Sequence, residues 1–374
     1  MTIGVLGGGQ LGRMLALAGA PLGQRFLFLD PSRSACAGHV GEQIVGAYDD
    51  EEKLSDLARR SSVVTFEFEN VALSAARYLA ELVAVYPPPL ALELSQDRLV
   101  EKRLFSLLDI PTPKFAEVSD EVTLAQAREA IGLPLVLKTR RFGYDGKGQA
   151  VVTSEQELEK AFVALGAAPL IAEERIAFDR EVSLVSVRKA DGELAFYSLF
   201  ENVHAAGILR FSRPISDPPL QALAEGYAKR VLQRMNYVGT FTMEFFVRGS
   251  ELLANEMAPR VHNSGHLTIE GHETSQFENH VRAIVGLPLG STAQRGESAM
   301  FNLLSEPKDL VSLMRMPGVH VHRYGKEASR DPGAERKMGH VTICANDASA
   351  LRARVHAVAE AAFPELLPRL PSIG

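Results

Sequence analysis

Thr240-Phe241-Thr242-Met243-Glu244-Phe245-Phe246-Val247 and Glu251-Leu252-Leu253-Ala254-Asn255-Glu256-Met257 flank a short turn that contains Gly249. The stretch reads as a β-hairpin. If Gly249, Ser250 and Glu251 form a three-residue loop, Glu244 and Glu256 stand opposite one another on one face, their Cβ atoms roughly 5 Å apart. Two carboxylates that close repel unless a cation lies between them. Mg²⁺, or Mn²⁺ in its place, accepts carboxylate oxygens together with those of a phosphate chain. The competing reading makes the pair surface glutamates on separate edges, but Phe245, Phe246 and Met257 beside them point to an enclosed setting.

A cation held this way needs a polyphosphate, and no G-x-x-x-x-G-K-[ST] loop occurs in the chain. Upstream, Leu135-Val136-Leu137-Lys138-Thr139 reads as a strand carrying a lysine, followed by Gly143, Gly146 and Gly148 in the turn Gly143-Tyr144-Asp145-Gly146-Lys147-Gly148-Gln149. Amides in such a turn can point at phosphate oxygens, and the glycines remove side chains that would block approach. A basic hairpin with a flexible tip is the alternative. Ser154 and Glu157 form a capping-box pattern for a helix to Leu165. Strand, turn, strand and helix make a small lid.

Beyond the acidic hairpin, Arg260, His262, Asn263 and Ser264 form a loop dense in donors and acceptors, although Asn, Ser and Gly also favour plain turns. Near the C-terminus Lys326, Arg336 and Lys337 cluster, as an anion site or as a solvated basic loop.

The N-terminus reads as strand Thr2 to Leu6, glycine turn Gly7 to Gly12, helix Arg13 to Ala20 and strand Arg25 to Asp30, a βαβ start. Gly7-Gly8-Gly9-Gln10-Leu11-Gly12 satisfies G-x-G-x-x-G, and Asp30 sits near the spacing of a ribose-binding carboxylate. A nicotinamide-dependent dehydrogenase is therefore a rival, with tight packing as the simpler use of the glycines. Val63 to Phe68 reads as a further strand, Val71 to Leu82 as a helix and Val83 to Tyr86 as a strand. Glu69 leaves the end of its strand where parallel sheets bind ligands; Glu67 shares its parity, so the choice between them stays open. Pro87, Pro88 and Pro89 mark a boundary, and Ser95 is the expected N-cap of a helix through Leu108. Strands follow at Glu181 to Arg188 and Glu193 to Phe200, and helices at Pro218 to Met235 and Thr274 to Val285. Strands near 317 to 324 and 338 to 345 and a helix from Asp347 form a last unit. The expected divisions of this α/β chain are 1–96, 97–176 (lid), 177–290 (body) and 291–374.

With 374 residues, 46% of them hydrophobic, the chain can bury a core in two or three domains. A net charge of −6, from 40 basic and 46 acidic residues, gives no field that selects nucleic acid or an anionic membrane. Only Cys36 and Cys344 occur, in unrelated contexts, which fits a reducing cytoplasm. The opening residues lack the basic leader of a secretory signal, and no apolar run is long enough to cross a bilayer.

A strand lysine, a glycine turn on a lid and paired carboxylates on a later hairpin resemble the ATP-grasp superfamily. More closely, GGGQLGRM, KTRRFGYDGKGQ, EVSLV and NEMAPRVHNSGH, in this order over nearly the whole chain, resemble the N5-carboxyaminoimidazole ribonucleotide synthetases. The resemblance implies an ATP-grasp fold with an N-terminal Rossmann-like (pre-ATP-grasp) domain, a lid subdomain and a small β-rich C-terminal domain. It implies that ATP phosphorylates bicarbonate to carboxyphosphate, which carboxylates 5-aminoimidazole ribonucleotide in purine synthesis, in a cytoplasmic homodimer. Around ATP it places Arg98, Lys138, Gly143 to Gln149, Glu173, Glu174, Arg175, Ile176, Glu181, His204, Asn255 and Glu256, with Glu244 and Glu256 on the metal. Tyr144, Asp145, Lys147 and Arg260 would act on the carboxyphosphate or the aminoimidazole. Gln10, Leu11, Glu69, Arg260, His262, Asn263, Ser264, Lys326, Arg336 and Lys337 would hold the ribotide. Ala258 stands where several superfamily relatives carry a third, Asn, metal ligand, and Phe142 stands where relatives often have Gly.

Overall fold

The computed structural model describes residues 1–143, 146–166, 169–305, 309–327 and 336–373. The N-terminal part is a parallel sheet, Glu42–Val45, Arg25–Asp30, Thr2–Leu6 and Val63–Phe66 in spatial order. Arg25–Asp30, Thr2–Leu6 and Val63–Phe66 are apolar on both faces, as a sheet covered by helices on both sides requires, while the edge strand Glu42–Val45 is partly exposed. The expected strand at Val83 to Tyr86 is reduced to a single parallel bridge, Val64 to Val85, because the prolines follow at once.

The prolines do not end this region in a loop: Pro89 opens a short helix, Pro89–Ser95, since proline is preorganised for a first helical turn. Ser95 therefore ends a helix instead of starting one. The N-cap of the next helix, Arg98–Leu107, is Asp97, whose carboxylate accepts from the amides of Leu99 and Val100.

The lid is a four-stranded antiparallel sheet in the order Phe115–Val118, Leu170–Glu174, Leu135–Thr139, Gln149–Val152. Helices Glu121–Ile131 and Glu155–Ala164 pack on it through Leu124, Ala127, Leu158, Ala161 and Phe162. Ser154 caps the second of these, while Glu157 reaches back to Thr153 and not to the capping serine itself.

Among the described residues the body is one nine-stranded sheet. Glu251–Ala258 pairs with Gly239–Arg248, then come Arg180–Arg188, Phe200–Ala205 and Ile208–Pro214. The region expected as one strand from Glu193 to Phe200 is interrupted: Leu194–Phe196 pairs back on Arg180–Arg188, and Phe200 opens the next strand. The C-terminal strands Glu297–Leu303, Gly339–Ala345 and Val319–Arg323 extend the same sheet through Phe211–Phe301 and Ser212–Met300 pairing. Helix Pro218–Arg234 covers the body with Leu220, Ala224, Ala228, Val231 and Leu232, all buried, at helical spacing.

Candidate active site

The acidic hairpin has its two glutamates directly opposed, but not for the expected reason. Arg248 pairs with Glu251, so the loop is the two residues Gly249 and Ser250, with Gly249 at φ +59° in the first turn position. A two-residue turn alone would set Asn255 opposite Glu244. A β-bulge leaves Asn255 unpaired and brings Glu256 opposite Glu244. Helix Arg98–Leu107 anchors that bulge with charges at i, i+3 and i+4. Buried Lys102 donates to the carbonyls of Ala254 (3.1 Å) and Asn255 (2.7 Å), buried Glu101 accepts from the Met257 amide, and Arg98 donates to Glu256 (2.8 Å).

Arg98, Glu101, Glu244, Asn255, Glu256 and Met257 line a cleft of about 440 Å³ between lid and body. One part is a phosphate-sized concentration of positive charge. Lys138, on the lid, bonds Glu173 at 3.0 Å, and Lys102 stands 3.4 Å from the same carboxylate. Burial alone would push Glu173 up, yet Lys102, Lys138 and Arg98 hold it down to about 2. Gly143, Gly146 and Gln149 border the same cleft, and the Gly143 carbonyl accepts from Arg98. Another part is apolar: Val136, Val151, Ile176, Leu209 and Met257 line it with Phe178 and Phe246, whose rings stack at 4.9 Å. That surface suits a planar heterocycle.

His204 and Glu181 stand beside these walls, hydrogen-bonded to each other at 2.5 Å. Burial opposes the histidine's charge, but Glu181, helped by Glu244 and Glu256, pushes it up to about 9. The paired state leaves Glu181 an acceptor-only carboxylate with lone pairs to spare.

On the far side of the acidic hairpin, Arg260 makes a two-pronged bond with Glu69, Nε to Oε2 (2.5 Å) and Nη2 to Oε1 (3.0 Å). Burial would raise Glu69, but Arg260 holds it at about 2. His262 places Nε2 3.1 Å from Oε1 of Glu244. Asn263 lines the cleft with both amide atoms unpartnered.

The choice between Glu67 and Glu69 resolves in space. Glu67 turns away into the glycine turn, where its carboxylate accepts from the amides of Gly9 (2.5 Å) and Gly12 (2.7 Å), while Glu69 faces the cleft. Asp30 likewise accepts from the Gly8 amide and the Tyr48 hydroxyl. The anion site at this helix N-terminus is thus filled by the chain's own carboxylate, which removes the dinucleotide reading of the first motif.

Of the residues singled out in the sequence, Arg98, Lys138, Gly143, Gly146, Gln149, Glu173, Glu174, Arg175, Ile176, Glu181, His204, Asn255 and Glu256 line this cleft. Glu69, Glu244, Arg260, His262, Asn263 and Lys337 line it too. Tyr144 and Asp145 lie outside the described residues. Lys147 and Gly148 sit in the lid turn without bordering the cleft. Three further residues of that reading stand apart from the cleft lining. The Leu11 side chain packs in the apolar core with Met14, Leu15 and Val261, so only its backbone can meet a ligand. Ser264 is fully buried behind the wall, bonded to Ser183 and His262. Arg336 is exposed and donates to the Glu327 carbonyl, away from the cleft. Lys326 and half-buried Gln10 sit on the glycine-turn side, where burial, with Arg336 nearby, pushes Lys326 down to about 8. Glu101, Lys102, Phe178 and Phe246 were missed. The i, i+3, i+4 spacing of Arg98, Glu101 and Lys102 was the available signal for the first two.

Two carboxylates on one wall, with no third His, Cys, Asp or Glu grouped to make a metal cluster among the described residues, fit a cation whose remaining ligands come from phosphate and water. A lid carrying a lysine, a nucleotide-sized cleft and a two-glutamate wall together define an ATP-grasp enzyme. Family models agree: a ribonucleotide synthetase preATP-grasp domain matches residues 1–96, an ATP-grasp domain 103–277 and a phosphoribosylaminoimidazole carboxylase C-terminal domain 298–354. The chain belongs to the N5-carboxyaminoimidazole ribonucleotide synthase family. It is 52% identical to that synthase of Pseudomonas aeruginosa over 95% of this chain and 98% of the relative. The crystal structure of the Thermus thermophilus synthetase matches with a TM-score of 0.92 at 51% identity, covering 96% and 98% of the two chains. The Aspergillus clavatus synthase, solved with ADP and 5-aminoimidazole ribonucleotide, matches at 29% identity and TM-score 0.88 over 99% of each chain.

Proposed function

We propose that this chain uses ATP and bicarbonate to carboxylate the exocyclic amine of 5-aminoimidazole ribonucleotide, giving N5-carboxyaminoimidazole ribonucleotide, ADP and phosphate. The observation that carries this is a shared wall. The Glu69–Arg260 fork and the His262-Asn263 loop open into the same cleft as Glu244, Glu256, Lys138 and Arg98, so phosphoryl donor and acceptor meet without a transfer between sites.

Glu244 and Glu256 would hold Mg²⁺ or Mn²⁺, which supplies Lewis-acid neutralisation of the phosphate oxygens when bound. Lys138 and Arg98 neutralise the same chain of oxygens, each held in place by a carboxylate partner. The apolar wall with Phe178 and Phe246 takes the adenine, and Glu181 accepts ribose hydroxyls. A bicarbonate oxygen attacks the γ-phosphorus, and the bond from that phosphorus to the β-bridging oxygen breaks. The amine of the ribotide then attacks the carboxyl carbon; the C–N bond forms, the C–O bond to phosphate breaks, and inorganic phosphate leaves. Arg260, fixed by Glu69, and Lys147 stabilise negative charge on the carboxyphosphate. Carboxyphosphate is short-lived in water, so closure of the lid protects it. Lys326 and Lys337 serve the ribotide phosphate, with Gln10 and the Leu11 backbone on the same side. The same reading extends to a cytoplasmic homodimer. Two unpaired cysteines and the lack of any membrane-length apolar helix among the described residues accord with its location.

A substrate panel tests the assignment. ADP release should be slow with ATP and bicarbonate alone and rise by at least about a hundredfold with aminoimidazole ribotide. Acceleration by glycinamide ribotide with formate, or by biotin, would replace it with a sister ligase of the same fold.

A further inference from the structure

Behind the cleft wall lies a polar network that the chemistry above does not use; its donors run towards His262, with the Ser212 hydroxyl facing both Asn202 Oδ1 (2.9 Å) and the Ser264 carbonyl (3.2 Å). The backbone N–H of Ser264 faces Nδ1 of His262 at 3.3 Å, and the Ser264 hydroxyl lies 2.9 Å from the same nitrogen. An amide N–H can only donate, so Nδ1 carries a lone pair and the ring proton sits on Nε2, the atom that faces Glu244. Ser264 Oγ accepts from Ser183 Oγ (2.7 Å), which leaves the Ser264 proton for Nδ1. Ser183 Oγ accepts from Asn202 Nδ2 (2.9 Å), and Asn202 Oδ1 accepts from Ser212 Oγ (2.9 Å). Ser183, Ser212 and Ser264 are fully buried and Asn202 nearly so, so these hydroxyls have no water to turn towards. They come from three neighbouring strands and the turn after the acidic hairpin, and Asn202 sits two residues before His204.

The alternative tautomer would set a bare Nε2 against the Glu244 carboxylate, lone pair against lone pair, and would also place an N–H against the Ser264 amide. Either clash would turn the ring and release Glu244. We propose that Ser212, Asn202, Ser183 and Ser264 form a positioning relay that fixes His262 as an Nε2–H donor and thereby holds Glu244 with its remaining lone pairs towards the cation. This rests on Glu244 being a metal carboxylate; the tautomer itself does not. Ser264 is then a positioning residue two hydrogen bonds removed from Glu244, in place of the ribotide contact that its neighbourhood in the sequence suggested.

Long-range ¹H–¹⁵N correlation on ¹⁵N-histidine-labelled protein, with His262 assigned by loss of its signals in His262→Gln, reads the tautomer directly. Wild type should show a bare Nδ1 and a protonated Nε2. Ser264→Ala should mix the tautomers and raise the half-saturating Mg²⁺ concentration about tenfold, and Ser264→Thr should restore both. A protonated Nδ1 in wild type overturns the relay, as does a Ser264→Ala protein with unaltered tautomer. If the tautomer shifts but the Mg²⁺ requirement does not, Glu244→Gln separates the causes. A raised requirement in Glu244→Gln overturns the positioning role, whereas an unchanged one overturns the metal reading and leaves the tautomer relay standing.

Discussion

Arg260 and Glu69 show how one pair of side chains ties the acceptor corner to the N-terminal sheet. The fork is planar and two-pronged, so lysine cannot reproduce it. Because Arg260 depresses Glu69 to about 2 in the folded state, against 4.5 for a free glutamate, the pair's stabilisation is complete above about pH 4.5. It is lost as the pH falls through about 2. Glu69→Gln should therefore cost about 2–3 kcal/mol at neutral pH, measured by denaturant unfolding, with the gap to wild type closing as the pH is lowered from 5 towards 2. A gap that does not change with pH would show that Glu69 is not held ionised by Arg260. Activity in that variant should fall more than stability, since Arg260 loses its orientation.

At the scale of elements, the hairpin depends on a helix far from it in sequence. Lys102 is buried against two carbonyls of the bulge and against Glu173 of the lid sheet, so it joins lid, helix and acidic hairpin. Lys102→Met should lower stability by about 3–5 kcal/mol and raise the Mg²⁺ requirement, because two bulge carbonyls and Glu173 lose their cation. A variant as stable as wild type with normal Mg²⁺ dependence would show that the bulge holds itself. This dependence explains what the sequence could and could not convey. The opposition of Glu244 and Glu256 was expected from a three-residue turn that the hairpin does not have. The actual two-residue turn alone would put Asn255 opposite Glu244, and the pairing is restored by a bulge that Lys102 pins from another element, which no hairpin pattern conveys. Glu67 and Glu69 were indistinguishable for a similar reason: alternation gives parity, whereas the outcome is decided by the Gly9 and Gly12 amides on one side and Arg260 on the other. Ser95 was passed over as a cap because Pro89 starts a helix ahead of it, a local preference that only packing made visible.

Across the whole molecule, the C-terminal strands continue the body sheet, and a seam of rings joins the two. His266 sits between Phe277, Tyr324 and His340, and the Tyr324 hydroxyl bonds His340 at 2.9 Å. Burial pushes both His266 and His340 down, so the seam is uncharged at neutral pH and carries Lys326 and Lys337 on a rigid support. The lid is a separate sheet, and it carries Lys138. One cleft built in this way should make carboxyphosphate and consume it before water intervenes. The measurement that bears most directly on this is a turnover with ¹⁸O-labelled bicarbonate and unlabelled ATP, reading the mass of the released phosphate. One bicarbonate oxygen should appear in each phosphate, with ADP and carboxylated ribotide formed in equal amounts; phosphate free of the label would contradict the carboxyphosphate route.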